Sequence, residues 1–80
     1  MILVELYSKD DCRLCEIAKE VLWKVRGRYP FDLKEVKIQE GDQHFENMKE
    51  RIPVVYVNGE LAFQYRVSEN ELIEKLKSIS

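Results

Sequence analysis

Cysteine and histidine are scarce in this 80-residue chain, which holds two cysteines and one histidine. A closed structural zinc site needs four ligands, usually two cysteine pairs or cysteines and histidines at set spacings. Cys12, Cys15 and the lone His44 fall short of that number. The chain is therefore not expected to enclose a zinc ion by itself, and His44 is most simply a surface residue.

The sequence also shows no long apolar run, no signal-peptide pattern in its first residues and no strong excess of charges of one sign. No stretch approaches the roughly 20 apolar residues of a membrane-spanning helix, and the first residues read as a strand rather than as a signal peptide. A formal net charge of -2 argues against a surface that binds nucleic acid phosphates. We expect one small domain over residues 1–80 in the cytoplasm, with neither a membrane nor nucleic acid as partner.

The most informative feature that is present is the motif Cys12-Arg13-Leu14-Cys15, where an apolar strand gives way to an amphipathic helix. Residues i and i+3 of a helix share a face, so cysteines at this spacing can open or close a disulfide with little backbone movement. The helix N-terminus favours thiolate over thiol and lowers a cysteine pKa. In a reducing compartment such a pair is more often catalytic than structural. We predict Cys12 as the nucleophile and Cys15 as the resolving thiol.

Charged residues surround the first cysteine. Lys9 and Arg13 are expected to lower the pKa of Cys12, whereas Asp10 and Asp11 are expected to raise it. Because the helix terminus adds to the lowering, we expect a moderately acidic thiol.

Hydrophobic periodicity predicts four strands. A near-continuous apolar run over 2–7 indicates a central strand, and interleaved charges over 31–38 indicate an edge strand. Asn58-Gly59 supplies the positive φ angles of a two-residue hairpin turn. The strands of that hairpin are predicted over 53–57 and 60–67.

Three helices complete the order βαβαββα. A short helix is predicted over 42–50, with Phe45 and Met48 directed at the sheet, and Ser68 with Glu71 forms a capping box that opens the last helix. Trp23 is predicted at the surface of the first helix, which spans 12–28. The apolar stripes expected to face the sheet are Leu14, Ile17, Ala18, Val21, Leu22 and Val25 in the first helix and Leu72, Ile73, Leu76 and Ile79 in the last.

This order of elements predicts one architecture. A βαβ unit crosses right-handedly and makes its strands parallel, so the strands over 2–7 and 31–38 should pair in parallel. The hairpin then adds antiparallel strands on the other side of the first strand. With the first and last helices on one face and the short helix on the other, the chain is expected to adopt an α/β thioredoxin-like fold, a four-stranded mixed sheet between helices.

Two segments resemble glutaredoxins. The run from Tyr7 to Cys15 is similar to their strand-loop-helix active site, and Arg51-Ile52-Pro53-Val54 is similar to the segment before their third strand. The resemblance implies a cis Ile52-Pro53 bond opposite Cys12, with the Ile52 backbone pairing with an extended substrate. It also implies a glutathione-binding role for Lys9.

The chain departs from that family at two places. Arg13-Leu14 stands where typical glutaredoxins carry Pro-Tyr, and Arg66-Val67 stands in the stretch where they carry Gly-Gly. Glu69 and Glu71 would repel a carboxylate at the start of the last helix. We therefore expect no tightly bound cofactor and poor use of glutathione.

Glu5 shares a strand face with Leu3 and Tyr7, where both faces of the sheet are expected to be covered. Its position resembles that of the buried aspartate of thioredoxins, which implies a proton acceptor for Cys15. The alternative is an ion pair with a Lys or Arg on a neighbouring strand. Of the two we favour the ion pair.

Together these features predict a monomeric thiol-disulfide oxidoreductase of protein or small-molecule disulfides, recycled by a reductase or by glutathione. Its predicted substrate-binding residues are Lys9, Arg13, Ile52 and Pro53. A dimeric iron-sulfur or metal carrier using Cys12 is one alternative. Another alternative is a redox-inert adaptor, in which the cysteines are buried and inert and partners bind through Trp23 and an open sheet face.

Overall fold

The computed structural model describes residues 2–39, 41 and 50–79. The helix predicted over 42–50, with His44, Phe45 and Met48, lies outside them except for its last residue. The elements are β1 (Leu3–Ser8), α1 (Arg13–Arg26), β2 (Asp32–Lys37), β3 (Val54–Val57), β4 (Glu60–Gln64) and α2 (Glu69–Ile79). Neither helix in this part of the chain is long and apolar enough to cross a membrane.

The four strands form one mixed sheet in the order β2-β1-β3-β4. β1 runs parallel to β2, pairing Leu3 with Asp32, and antiparallel to β3, pairing Val4 with Val57. β3 and β4 are antiparallel neighbours. The predicted parallel and antiparallel pairings, and the edge position of β2, are confirmed.

The hairpin turns at the predicted dipeptide. Asn58 and Gly59 have φ angles of 50° and 82°, as a type I′ turn requires. The Asn58 side-chain oxygen also accepts a 2.9 Å hydrogen bond from the Leu3 N–H, which ties the turn to β1. β4, however, ends at Gln64, so the strand predicted to Val67 is too long.

The early end of β4 is explained by the conformation of Tyr65. This residue adopts a φ of 69°, and its N–H donates to the carbonyl oxygens of Arg51 (3.2 Å) and Pro53 (2.8 Å). Positive φ breaks the extended conformation of a strand. The chain therefore leaves the sheet here and lies against the segment that precedes β3.

Both helices pack on one face of the sheet, as predicted. Alternation along β1 directs Val4, Leu6 and Ser8 into the interior, where all three are buried. Burial of this apolar surface stabilises the layer by roughly 25 cal/mol per Å². The residues of the main core cluster are Val4, Leu6, Ala18, Leu22, Val25, Phe31, Val55, Val57, Phe63, Leu72 and Leu76.

The buried stripe of α1 is narrower than predicted. Leu14 and Ile17 are 38% and 47% exposed, whereas Cys15, which the periodicity left out of the stripe, is buried. A helix resting on a sheet buries only the residues that point directly at it, and positions one side over remain in solvent. Ile79 at the end of α2 is likewise 42% exposed, contrary to the prediction, and Trp23 is exposed as predicted.

The helix boundaries depart from the prediction by one or two residues. α1 begins at Arg13, with Cys12 as its N-cap, and ends at Arg26. α2 begins at Glu69, directly after Ser68, whose hydroxyl oxygen accepts a 3.3 Å hydrogen bond from the Glu71 N–H. The predicted serine cap of the last helix is thereby confirmed.

Candidate active site

The N-terminus of α1 holds both cysteines at the end of β1. Asp11 adopts a φ of 54°, which turns the chain from the strand towards the helix. Cys12 is the extended N-cap residue, and its carbonyl oxygen accepts a 3.2 Å hydrogen bond from the Glu16 N–H. Its sulfur accepts a further 3.2 Å hydrogen bond from the Cys15 N–H. The first sulfur thus occupies the position that an N-capping oxygen takes in other helices.

Cys12 and Cys15 are joined in a disulfide, with their Cα atoms 5.2 Å apart. Cys15 is only 5% exposed, in a cluster with Ile38 and Ile52, whereas Cys12 is half-buried at the edge of that cluster. The two cysteines therefore differ in exposure, and Cys12 is the more accessible to a partner. The part of the chain that the structure describes gathers no three His, Cys, Asp or Glu side chains that could hold a metal ion.

The Ile52-Pro53 peptide bond is cis, as the resemblance implies. The antiparallel register pairs Tyr7, near the end of β1, with Val54 at the start of β3, so the residues just before β3 lie beside the motif. The Ile52 side chain packs in the same cluster as Cys15. Pro53 is fully buried.

A charged groove of about 520 Å³ flanks the disulfide on the β2 side. Lys9 lies in this groove, as its predicted role in substrate binding requires, whereas Arg13 is exposed and is not part of its wall. The Asp10 carboxylate pairs with the Lys37 ammonium at 3.4 Å. The groove is lined by Ser8, Lys9, Asp10, Asp11, Cys12, Cys15, Glu16, Lys19, Glu35 and Lys37.

One polar network in the groove was not predicted. The Lys19 ammonium lies 2.9 Å from the Glu35 carboxylate, and the buried Ser8 hydroxyl donates a 3.1 Å hydrogen bond to it. The hydrogen bond from Lys19 holds the pKa of Glu35 below its usual range. Burial acts in the opposite direction and raises this pKa, whereas the hydrogen bond from Ser8 lowers it further. The three residues come from β1, α1 and β2, and both the β1–β2 pairing and the packing of α1 on the sheet bring them together, so no local pattern in the sequence marks them.

Glu5 lies on a less covered face of the sheet than the sequence suggested. It is half-buried, on the sheet face that β1 turns away from the helices, and neighbouring Leu3 is 37% exposed. That face is therefore less covered than expected. Among the described residues, Lys19 pairs with Glu35, Lys24 with Glu69 and Lys37 with Asp10, and the favoured ion pair of Glu5 is not found there.

The charge of Glu5 affects the pKa of Tyr7, which lies two residues further along the same face of β1. Burial raises the pKa of Tyr7, and the negative charge of Glu5 and the nearby Tyr56 ring add to the effect. The rings of Tyr7 and Tyr56 meet edge to face, with centroids 5.6 Å apart. The role of Glu5 as proton acceptor for Cys15 stays a prediction, one that its position on the face away from α1 does not favour.

Residues 3–77 match the model of one protein family, the Glutaredoxin-like domain (DUF836). The chain belongs to this family. A glutaredoxin-like protein of Dictyostelium discoideum, described as a homolog of YDR286C, is 27% identical over 84 residues. That alignment covers 98% of this chain and 78% of the relative.

Solved structures show the same fold. The X. campestris protein XcR50 superimposes with a TM-score of 0.77 at 24% identity, covering 94% of this chain and 96% of that one. Thioredoxin-2 of a malaria parasite superimposes with a TM-score of 0.66 at 18% identity, covering 98% and 82%. The glutaredoxin-like protein described here therefore has a thioredoxin fold, and its Cys12–Cys15 disulfide fits a redox function.

Proposed function

We propose that this glutaredoxin-like protein is a dithiol-disulfide oxidoreductase that reduces disulfides through Cys12 and Cys15. The observation that carries the proposal is the disulfide at the N-terminus of α1, with one accessible and one buried sulfur. A structural staple would not need its two sulfurs in such different environments. A pair that exchanges with a substrate does, because one sulfur must be accessible to the substrate and the other must react only after the mixed disulfide has formed.

The reaction begins with the reduced protein. The Cys12 thiolate attacks one sulfur of the substrate disulfide, forming a Cys12-substrate S–S bond, and the other substrate sulfur leaves as a thiolate that takes a proton from water. Cys15 then gives its proton to solvent and attacks the Cys12 sulfur, which releases the second substrate thiolate. Two electrons pass from the protein to the substrate, and the Cys12–Cys15 disulfide remains.

The assignment of Cys12 as the nucleophile rests on its exposure, on a hydrogen bond to its sulfur and on its position at a helix N-terminus. Its sulfur accepts the Cys15 N–H, and it caps a 14-residue helix whose dipole favours a negative charge at this end. A hydrogen bond to a charged group is stronger than one to a neutral group, so the same N–H stabilises the thiolate more than the thiol. Cys15 has neither the exposure nor the terminal position.

The proposed substrates are disulfide-containing polypeptides. Lys9 in the charged groove and the Ile52-Pro53 segment border the disulfide on two sides, and exposed Arg13 follows Cys12 directly. The Ile52 backbone beside a cis proline is suited to pair with an extended chain. We further propose that the protein acts as a monomer in the cytoplasm, where a thiol donor, glutathione or a reductase returns the pair to the dithiol form after each cycle.

Serine substitutions test the division of labour. Cys12→Ser should abolish reduction of an insulin disulfide in the presence of dithiothreitol. Cys15→Ser should instead accumulate a covalent complex with the substrate, because attack still occurs but no thiol displaces the product. Mass spectrometry without reductant measures the complex. Faster labelling of Cys15 than of Cys12 by iodoacetamide, in the reduced wild-type protein at neutral pH, would contradict the assignment.

A further inference from the structure

A second surface with the chemistry of a binding site lies at the end of the molecule opposite the disulfide. α1 starts beside Cys12, and its 14 residues, at 1.5 Å each, carry the chain about 21 Å away from the sulfurs. β1 and β2 both begin at that distant end, where the Asp32 N–H donates a 2.9 Å hydrogen bond to the Ile2 carbonyl oxygen. A ligand bound there leaves the disulfide open.

The first part of this surface is a hollow beside Trp23, of which 54% is exposed. The Arg26 guanidinium lies 5.4 Å from the centre of the Trp23 ring, and its Nε donates a 2.8 Å hydrogen bond to the Phe31 carbonyl oxygen. That bond holds the guanidinium at the ring and leaves its other N–H groups as donors for a ligand. The hollow has a volume of about 310 Å³ and is lined by Trp23, Arg26, Gly27, Pro30, Phe31 and Asp32.

The same combination occurs again on the other side of Pro30. The Arg28 guanidinium lies 5.8 Å from the centre of the Tyr29 ring. A second hollow of about 160 Å³ is lined by Ile2, Arg28, Tyr29, Pro30 and Leu76. Because Pro30 belongs to both walls, two apolar hollows lie side by side, each with an arginine against an aromatic ring. The residues Trp23, Arg26, Arg28, Tyr29 and Pro30 are called the aromatic-arginine surface below.

The charges of this surface are not compensated by the fold. Among the described residues, no carboxylate forms an ion pair with Arg26 or Arg28, whereas the neighbouring Lys24 ammonium pairs with Glu69. A guanidinium binds a carboxylate through two parallel hydrogen bonds. Tryptophan, tyrosine and arginine are also the side chains that most often dominate the energy of protein interfaces. The surface therefore complements a ligand that carries both carboxylates and apolar side chains.

Asp32 and the two hollows favour a polypeptide over a nucleic acid. Asp32 is exposed and lines the first hollow. A nucleic acid carries a negative charge at every nucleotide, so it would bring phosphate close to this carboxylate. A polypeptide can place its carboxylates at Arg26 and Arg28 alone. The buried Phe31 and Leu76 line the hollows and suit apolar side chains, since they return no hydrogen bond to a group that loses its hydration.

We propose that the aromatic-arginine surface docks an acidic segment of a partner polypeptide, with apolar side chains in the two hollows and carboxylates on Arg26 and Arg28. This interaction goes beyond the proposed oxidoreductase function and does not depend on it. A partner docked there leaves Cys12 accessible, because the helix length separates the two sites.

Trp23 is the only tryptophan of the chain, so its emission reports binding at this surface. The probe is a capped peptide of alternating glutamate and apolar residues, Glu-Leu-Glu-Phe-Glu-Leu-Glu, titrated into the wild-type protein. We expect a saturable shift of the Trp23 emission to shorter wavelength, and weaker binding as the salt concentration rises from about 0.05 to about 0.5 M, because salt screens exposed charge pairs. Matched peptides with lysine for glutamate, or with serine for leucine and phenylalanine, should each bind at least tenfold more weakly.

Variants locate the binding, with anisotropy of a fluorescein-labelled peptide as the measurement. Arg26→Gln and Arg28→Gln should each weaken binding about fivefold, the upper end for an exposed ion pair. Trp23→Ser should weaken it at least tenfold, as the loss of an aromatic anchor does. The control is Arg66→Gln, which removes the same charge from an exposed arginine beside Leu14, near the motif, and should leave the affinity unchanged.

The redox assay separates this proposal from the proposed function. Arg26→Gln and Arg28→Gln should reduce insulin at the wild-type rate, and loss of that activity together with peptide binding would contradict the independence of the two sites. Normal insulin reduction by a wild-type protein that binds no acidic peptide would overturn the docking proposal alone.

Other occupants of the surface give other results. Tighter binding of a single-stranded oligothymidylate than of the acidic peptide would assign the surface to nucleic acid and overturn the proposal. A dimer in analytical ultracentrifugation that Trp23→Ser dissociates would assign it to a second copy of the chain. Equal affinity for the glutamate and lysine peptides, or a loss in Arg66→Gln as large as in Arg26→Gln, would show that the two arginines do not select an acidic partner.

Discussion

Single residues show how two cysteines of one motif come to lie in different surroundings. Cys12 at the N-cap receives an N–H from within the helix, whereas Cys15, one turn later, is 5% exposed against Ile38 and Ile52. The spacing places both cysteines on one side of the helix end, with Cys12 at the terminus and Cys15 one turn further into the protein. The exposed position of Cys12 at the helix end could therefore be predicted from the sequence.

The role of Glu5 depends on which side of the sheet it occupies, and one substitution tests it. Glu5→Gln should leave the rate of resolution by Cys15 unchanged, because this carboxylate lies on the face away from α1. The same change should lower the pKa of Tyr7 part of the way towards its ordinary value, since burial is the larger cause of the rise. Stopped-flow kinetics measures the rate, and NMR of the labelled tyrosine ring carbons measures the pKa.

Two results would contradict this reading of Glu5. A substantial slowing of resolution at neutral pH, together with a shifted pH profile, would make Glu5 a general base for Cys15. An unchanged Tyr7 pKa would show that the Glu5 charge does not reach the phenol. Tyr56→Phe, which removes the other contributing hydroxyl without touching the carboxylate, is the matched control.

At the scale of the element, α1 presents two apolar stripes on adjacent surfaces. One stripe builds the core through Ala18, Leu22 and Val25, and the neighbouring stripe through Leu14 and Ile17 stays open beside the disulfide. Periodicity places all five residues on one apolar side and cannot divide them. Only the position of the sheet decides which of them are covered.

The cap of α2 gives a prediction for a whole element. Ser68→Ala removes the acceptor of the 3.3 Å bond from the Glu71 N–H, and we expect it to lower the free energy of unfolding by about 0.5 to 2 kcal/mol. Urea titration followed by circular dichroism measures the loss. The control is Ser78→Ala in the same helix, whose hydroxyl only donates a 2.8 Å bond to the exposed carbonyl of Lys75. A loss for Ser68→Ala that is no greater than the loss for the control would contradict the stabilising role of the cap.

For the molecule as a whole, the strand order brings the parts of the candidate active site together at one end of the strands. β1 is central, and it ends where α1 begins and where the segment before β3 returns. The motif, the cis proline and the charged groove therefore meet at this end of the sheet. The rest of the core holds this arrangement in place.

The stability of so small a domain should depend strongly on its central side chains. Leu22 is completely buried, so Leu22→Ala is expected to lower the free energy of unfolding by about 2 to 5 kcal/mol, a large part of the roughly 5 to 15 kcal/mol that a domain possesses. Ile17→Ala in the same helix removes a 47% exposed side chain and should cost about 0.5 kcal/mol. Equal losses in urea titrations of the two variants would place Ile17 in the core.

The sequence by itself determined what depends on neighbouring residues. The Asn58-Gly59 turn, the Ser68 cap and the position of Cys12 at a helix start each follow from the conformations and hydrogen bonds of a few adjacent residues. The pairing of strands followed as well, because a βαβ unit has one favourable hand. The motif alone likewise indicated where the site lies, since its two cysteines are three residues apart at a strand-to-helix junction.

Only the tertiary structure decided what depends on distant parts of the chain. The network of Ser8, Lys19 and Glu35 joins three elements, and the turn at Tyr65 follows from hydrogen bonds to Arg51 and Pro53. The packing of α1 on the sheet also determines which apolar residues of α1 remain exposed. Burial and long-range hydrogen bonds are set by the placement of whole elements, and a local pattern leaves that placement open because many arrangements satisfy it.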